Sequence, residues 1–582
     1  MPKAPVSTRE PGRTLTSESL RLIITIAAMN VRSVRLRLLL PTFFAVCSFA
    51  AAQPVLLTVG QNFTGVDYGS YNTNSGALPP DSNGAVGSDH YAEFINGMFA
   101  VYSKSNGQQL EIKTDVDFWA AAGVGIDSLW LISDPRLIYD PGSQRWFASQ
   151  VDIDYLTQIL DSMLGTNHFL FAVSATSDPT GEWHGVMFQA DPDNGNFADF
   201  PTLGFDSQGV YVSGDMYDGT SNPNAAVPLG PTLVSFPKAD LLLPTPNFNN
   251  RTWFGIMDYA ARGDVLQPAI TFDGSNTGAV LAVIDIGNTS APYSNLVSFA
   301  VQNAGGPGPA TLSAATFPTV SPFMVPDNVP VGAPLFTALQ PDGTSTLQAN
   351  DARFSAKAYV VGGVMYAVHN TLFNGRIAIR WYRLRASDGS LLESGTLSDT
   401  NLDLFFPSIA ANAQGTVIIA FNGSGLSTTV SSFAVAGVTV NGLTTFGGRV
   451  LLKAGVTSYH GDDETSGYPT SRWGDYSATS VDPADSTRFW TIQEFPSDPG
   501  VWATQITELL TTVPAHLDIA QAPGNAITLS WSLAAAGYQL QSATNLLAPV
   551  AWANVTNSPA TNGSQLVLSL PVSGMQRYFR LH

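Results

Sequence analysis

Cysteine is almost missing from this chain: Cys47 is the only one in 582 residues. A disulfide framework and a thiolate metal cage are both excluded, since each needs several thiols. Positive charge is scarce as well. Lys and Arg number 26 against 45 Asp and Glu, and charged residues of all kinds make up only 12%. Residues 1–52 hold seven Lys/Arg and two Asp/Glu, a local charge of +5, so the remainder carries −19 − 5 = −24. A surface this acidic repels phosphate backbones, and no basic, aromatic-interleaved patch offsets it, which excludes nucleic acid as a partner. The sequence also lacks His-Glu-x-x-His, Gly-x-Ser-x-Gly and any phosphate-binding glycine-rich loop. Its seven histidines, at 90, 168, 184, 369, 460, 516 and 582, are scattered without ligand spacing, which argues against zinc.

What is plentiful is glycine (52), proline (38) and hydrophobic residues (44%). That mixture suits many short strands joined by tight turns, and the length exceeds one ordinary core. The segment "MNVRSVRLRLLLPTFFAVCSFAAAQPV" (29–55) has a basic start, an apolar run from Leu38 to Phe49, and Ala50, Ala51 and Ala52 before Gln53. This is the layout of a secretory signal peptide, with Met29 as the expected start, so residues 1–52 are expected to be removed and the protein to be a bacterial secreted or cell-surface one. The run is too short for a membrane span, and none is expected in the mature chain.

A seven-residue unit recurs through the body: "DSNGAVG" from Asp81, "DPRLIYD" from Asp134, "FPTLGFD" from Phe200, "QPAITFD" from Gln267, "DARFSAK" from Asp351, "FPSIAAN" from Phe406 and "YSATSVD" from Tyr476. Successive starts lie 53, 66, 67, 84, 55 and 70 residues apart. Each unit leads through a polar turn into an apolar strand such as "RWFASQV", "VYVSG" or "RFWTIQ". The closing Asp or Asn can bond the turn backbone, so each unit reads as a β-hairpin. Repeated hairpins with room for two more strands predict an all-β chain and, over 53–512, a β-propeller of about seven blades, with six or eight as alternatives. "PVLLTV" (54–59) is expected to close the ring as the outer strand of the last blade. From 513 to 582 the pattern changes to short alternating strands, which predicts a small Ig- or fibronectin-like β-sandwich. Its "YQLQSATNL…W" run resembles the terminal sandwich modules of exported bacterial proteins.

In a propeller, residues just before each first strand share a face with those ending each second strand. The second strands end in Asn96, Asp152, Asp215, Asp285, His369, Asn422 and Glu494, all polar. They predict a ring around the channel mouth able to hold a cation or sugar hydroxyls. Arg472 and Asp475 should lie on that face, with Tyr217 and Trp473 as exposed aromatics. No cofactor is required by these residues; calcium is the one that the acidic loops "HGDDETSG" (460–467) and "DPDNGNFAD" (191–199) would suit.

The turns "YDPGSQRW" (139–146) and "VDPADSTRFW" (481–490) resemble degenerate Asp-box turns of bacterial sialidases and their BNR-repeat relatives, which are exported propellers. The strict Ser-x-Asp-x-Gly-x-x-Trp spacing and a Phe-Arg-Ile-Pro segment are absent. The resemblance implies an arginine clamp, for which Arg136, Arg353 and Arg472 stand at or before first strands. It also implies acid and nucleophile or base carboxyls, for which Asp134, Asp475 and Glu494 are available. Two functions follow as expectations: binding of an extracellular glycan or cell-surface ligand, or glycoside hydrolysis on the same face.

Overall fold

The computed structural model describes residues 55–582 except 70–73, 128–129, 155–165, 220–226, 285–291, 327–336, 462–469, 513–515, 564 and 573–575. The segment expected to be a signal peptide, with Met29 and Cys47, together with Asp285, most of the 460–467 loop and part of the stretch leading into the tail, lies outside the described residues. Among the described residues no helix is long and apolar enough to cross a membrane.

The chain is all-β, as its composition predicts, and divides into two compact units, one within Ala51–Pro514 and the other within Ala515–His582. In the larger unit each recurring segment enters a strand that pairs antiparallel with the next. The hairpins then extend into meanders. Gly84–Val86 continues into His90–Ile95, Met98–Ser103 and Gln109–Thr114; Trp130–Asp140 continues into Arg145–Asp154, His168–Ser174 and Trp183–Gln189. Phe197–Phe205, Asp264–Pro268, Tyr359–Val361 and Asp403–Ala411 start four more.

The last meander begins at Ala478–Val481, runs through Arg488–Asp498 and Val501–Thr512, and takes its fourth strand, Leu56–Asp67, from the N-terminal side. Leu57 faces Thr511 and Phe63 faces Ile506, so the strand expected to close the ring does so. Without it Val501–Thr512 would be a bare edge. The first strands neighbour one another in sequence order, and Ala478–Val481 returns to Gly84–Val86, so they form a closed ring. Phe205 pairs parallel with Ile270, and Ile270 with Tyr359, so these first strands point the same way.

The closing residues act as expected. Asp140 accepts the backbone N–H of Gly142 and Ser143, Asp206 those of Gln208 and Gly209, and Asp482 that of Ala484 together with the Trp490 indole N–H. Asp482 also pairs with Lys104 at 2.8 Å, and Asp140 with Lys238 at 2.5 Å, so each binds its own turn and a neighbouring meander. One repeat was misplaced by its composition. Asp351–Lys357 precedes its strand, which is Tyr359–Val361, and runs as irregular backbone with Lys357 buried.

The smaller unit holds two antiparallel sheets. Asp518–Ala522, Ala526–Ser532, Gln565–Pro571 and Ala560–Asn562 form one; Ala553–Asn554, Leu540–Ala543 and Tyr578–Leu581 form the other. Trp531, Leu529, Leu540 and Leu568 share its core.

Candidate ligand-binding site at the mouth of the ring

Twelve non-glycine residues among those described have positive φ, and seven of them stand at the entrances to the first strands: Asp81, Asp134, Phe200, Val265, Asn350, Phe406 and Asp475. Register shifts at Ser133/Arg136, Asp199/Thr202, Asp264/Gln267 and Phe405/Ser408 show the cause in four of them. An extra residue bulges out of the pair there, turning its side chain off the sheet face. Pro135, Pro201 and Pro407 follow directly, and a residue without an N–H is tolerated where the ladder is already broken. Asp and Asn tolerate left-handed backbone, but Phe and Val do not, so the surrounding packing must hold them.

The seven meet at one end of the ring. Phe200 packs on Tyr476 with ring centres 4.7 Å apart, and Val265 joins them in one apolar cluster. Asn350 donates to Asp475 at 3.2 Å, Ser477 donates to the Phe406 carbonyl at 2.8 Å, and the Tyr476 hydroxyl donates to Asp134. Above this floor the half-buried Arg353 forms a two-pronged pair with Asp351 (2.9 and 2.6 Å) and lies 4.7 Å over the Phe200 ring. Arg472 donates to Asp475 at 3.1 Å and to Gln348 at 3.2 Å.

Carboxyl groups crowd this mouth. Burial, then the charges of Asp134 and Asp475, push Asp81 well above the usual carboxylate range. Burial and Asp134 push Asp199 up to about 6. Burial also raises Asp475, against the pull of Arg472. Asp215 is raised by burial and by Asp264. Like charges in a desolvated site cannot all ionise, so part of this cluster keeps its protons near neutral pH.

The ring expected from the second-strand ends is not what lines the mouth. Asn96, Asp152, Asp215, His369, Asn422 and Glu494 are all buried, while Asp285 lies outside the described residues. They reach under the mouth. Asn96 donates to Asp81 at 2.9 Å and accepts the N–H of Asp134 at 2.8 Å, while Asp215 accepts the N–H of Val265 at 3.4 Å. Each thereby holds a left-handed residue of the next meander. Glu494 accepts the N–H of Gly474 at 3.0 Å, and Asn422 donates to the Glu494 carbonyl while accepting the Trp473 indole N–H. Asp152 turns away to His168, accepting its N–H at 2.6 Å. His369, expected in the ring at the channel mouth, bonds Asn370 and Tyr382, and burial pushes its imidazole down to about 3. Trp473 is fully buried against Tyr459 rather than exposed.

Arg136 also departs from a substrate clamp. It is buried, donates to the carbonyls of Pro201 (2.6 Å) and Ser355 (3.0 Å), and lies 3.5 Å from the Tyr476 ring centre. The residues that sequence reasoning missed are Asp81, Asp199, Asp264 and Asp351. Their signal was the acid at the start of a recurring unit (Asp81, Asp351) or one to three places before it (Asp199, Asp264). Among the described residues no group of three or more His, Cys, Asp or Glu is arranged to hold a metal ion. Asp191 of the 191–199 loop is occupied by the N–H groups of Asp193 and Asn194 and by the Asn196 amide.

No known protein-family model and no curated protein matches the chain. Similar solved structures include a protein of unknown function from Dyadobacter fermentans (11% identity, 66% of this chain and 96% of that one, TM-score 0.36). They also include an exo-β-1,3-galactanase from Phanerochaete chrysosporium, solved with galactose (11%, 78% and 99%, TM-score 0.28). A third is a subtype N10 neuraminidase-like protein of A/little yellow-shouldered bat/Guatemala (10%, 58% and 91%, TM-score 0.23).

Proposed function

We propose that residues 53–512 form an exported seven-bladed β-propeller, that residues 513–582 form a β-sandwich module, and that the mouth at Asp81, Asp134, Asp199 and Asp475 binds an extracellular carbohydrate. One observation carries this reading: the repeat places a left-handed residue at the same end of every first strand, so one mouth gathers these carboxyls with Arg353 and Arg472. The partly exposed carboxyls of Asp199 and Asp475 and guanidinium groups of Arg353 and Arg472 offer paired acceptors and donors to sugar hydroxyls, with Asp81 and Asp134 buried beneath them, and no cofactor is required. A glycan array and calorimetry on the mature chain test it, with Asp475→Asn and Arg472→Met as variants and with calcium or chelator present. Saturable glycan binding weakened at least tenfold by either substitution supports the reading. A chain with no affinity for any glycan, or with affinity indifferent to both substitutions, overturns it.

The raised Asp199 favours a second reading, glycoside hydrolysis. Burial and the charge of Asp134 raise Asp199 to about 6, and a carboxyl that holds its proton near neutral pH is the general acid that glycosidic cleavage uses. In that reading Asp199 protonates the leaving oxygen and Asp134 serves as nucleophile or base. Turnover of a chromogenic glycoside lost in both Asp199→Asn and Asp134→Asn would establish it; glycan binding without turnover leaves the binding function alone.

A further inference from the structure

The other end of the ring carries different chemistry. A cavity of about 240 Å³ opens there, lined by closing-turn residues Asp273, Asn412 and Asp482 and by apolar or aromatic groups that include Ile138, Ile270 and Phe272. Because the first strands run from the left-handed residues to these turns, this cavity lies at the end opposite the carboxyl-rich mouth. A void of about 150 Å³ holds benzene, so this one has room for an aromatic ring with a short substituent.

Lys357 lines the cavity and is itself buried, 4% exposed. Its Nζ donates to the carbonyls of Gly84 at 2.7 Å and Leu137 at 2.6 Å, and no carboxylate pairs with it among the described residues. The contrast within this chain is direct: the other buried lysine, Lys238, pairs with Asp140, and Lys104 pairs with Asp482. The nearby charge at Lys357 is instead that of Arg136, which together with burial pushes the amine well below the ordinary lysine range, burial being the larger cause. Two carbonyl acceptors match the two N–H bonds of a neutral amine and leave its lone pair free. Desolvation beside a second cation is a recognised way to make a lysine nucleophilic near neutral pH.

We propose that Lys357 is a reactive amine at this end of the ring and that the cavity admits a small apolar aldehyde or ketone, which Lys357 captures as an imine. The Nζ lone pair adds to the carbonyl carbon as the C=O π pair moves to oxygen. One proton passes from nitrogen to that oxygen to give a carbinolamine. Loss of water then forms the C=N bond, so that amine plus carbonyl gives imine plus water with no oxidant or reductant. Once protonated, the iminium keeps one N–H for the carbonyl of Gly84 or Leu137.

The experiment treats the full chain with benzaldehyde and sodium cyanoborohydride at neutral pH and maps the reduced adducts. The chain has only six lysines, so each site is resolved by peptide mass. Lys357 is expected to be modified at a benzaldehyde concentration at least tenfold below that needed for Lys113 and Lys453. Benzyl alcohol, similar in size to benzaldehyde but unable to form an imine, is expected to suppress that adduct, and Val361→Trp, on the cavity wall, to abolish it. Modification of Lys113 and Lys453 with Lys357 untouched would overturn the proposal. So would a Lys357 adduct indifferent to both benzyl alcohol and Val361→Trp. The wild-type mapping decides the matter even if the variant does not fold, and it is independent of glycan binding at the other mouth.

Discussion

The Arg136 guanidinium lies 3.5 Å from the ring centre of Tyr476, while the Tyr476 hydroxyl donates to Asp134. One aromatic ring thus faces a buried cation and orients a carboxylate of the mouth. This bears on both functions, because the floor under the ligand is fixed by residues that need not touch it.

Tyr476→Phe keeps the ring under Arg136 and removes the donor to Asp134, which then retains Ser133 at 2.8 Å. Leaving a buried acceptor short of a partner costs about 1–3 kcal/mol. The urea midpoint is expected to fall by that free energy divided by the slope, with the slope itself unchanged. Tyr476→Leu also removes the face that Arg136 stacks on and should cost more; equal losses in the two variants would show that the hydroxyl alone matters.

Glu93 joins three parts of the closing seam: it accepts from the Val66 N–H, the Tyr102 hydroxyl at 2.9 Å and the Thr504 hydroxyl. Burial pushes it up to about 7, against the lowering effect of these bonds, from an ordinary 4.5. The folded state therefore holds a proton that the unfolded chain releases near 4.5, so the stability it contributes is complete below that pH and is lost as pH rises to 7. The loss amounts to roughly 3 kcal/mol. Asp115 and Asp199, both raised to about 6 by burial first, act in the same direction. Chemical denaturation at pH 5 and pH 8 is expected to show the wild type weaker at pH 8, with Glu93→Gln narrowing the gap. Equal gaps in the two proteins would refute this role.

Deleting residues 53–67 removes the strand paired with Val501–Thr512 and uncovers its edge. The truncated chain is expected to lose its cooperative unfolding transition and to associate on size-exclusion chromatography. A synthetic peptide covering 55–69 should restore the monomer if pairing is all that was lost.

The hairpin periodicity, the closing Asp residues and the ring-closing strand were legible because each depends on local pattern: alternation for the strands, an Asx side chain for the turn. The mouth was less legible. A polar residue at a second-strand end reads as exposed, yet Asn96 and Asp215 are buried because each must satisfy an N–H that a bulge on the next meander leaves unpaired. Bulges depend on pairing between segments that do not yet have a register in the sequence. Asp199 and Asp264 went unnoticed for that reason, and Asp351–Lys357 was taken for a strand because its alternation matched while its backbone had to lead into Tyr359.

Val265 tests how much the left-handed backbone costs. It is buried and β-branched with φ of 48°, in contact with Phe200 and Tyr476. Replacing an ordinary buried strand valine by glycine loses about 2 kcal/mol of burial and about 1 kcal/mol of backbone entropy. Val212, buried in Gly209–Tyr217, is such a residue, and Val212→Gly should cost about 3 kcal/mol or more. At Val265 the same change also relieves left-handed strain of about 1–2 kcal/mol, so Val265→Gly should cost only about 1–2 kcal/mol. Equal losses at the two sites in urea denaturation would mean that the bulge stores no strain, and that apolar residues at this mouth are there for packing alone.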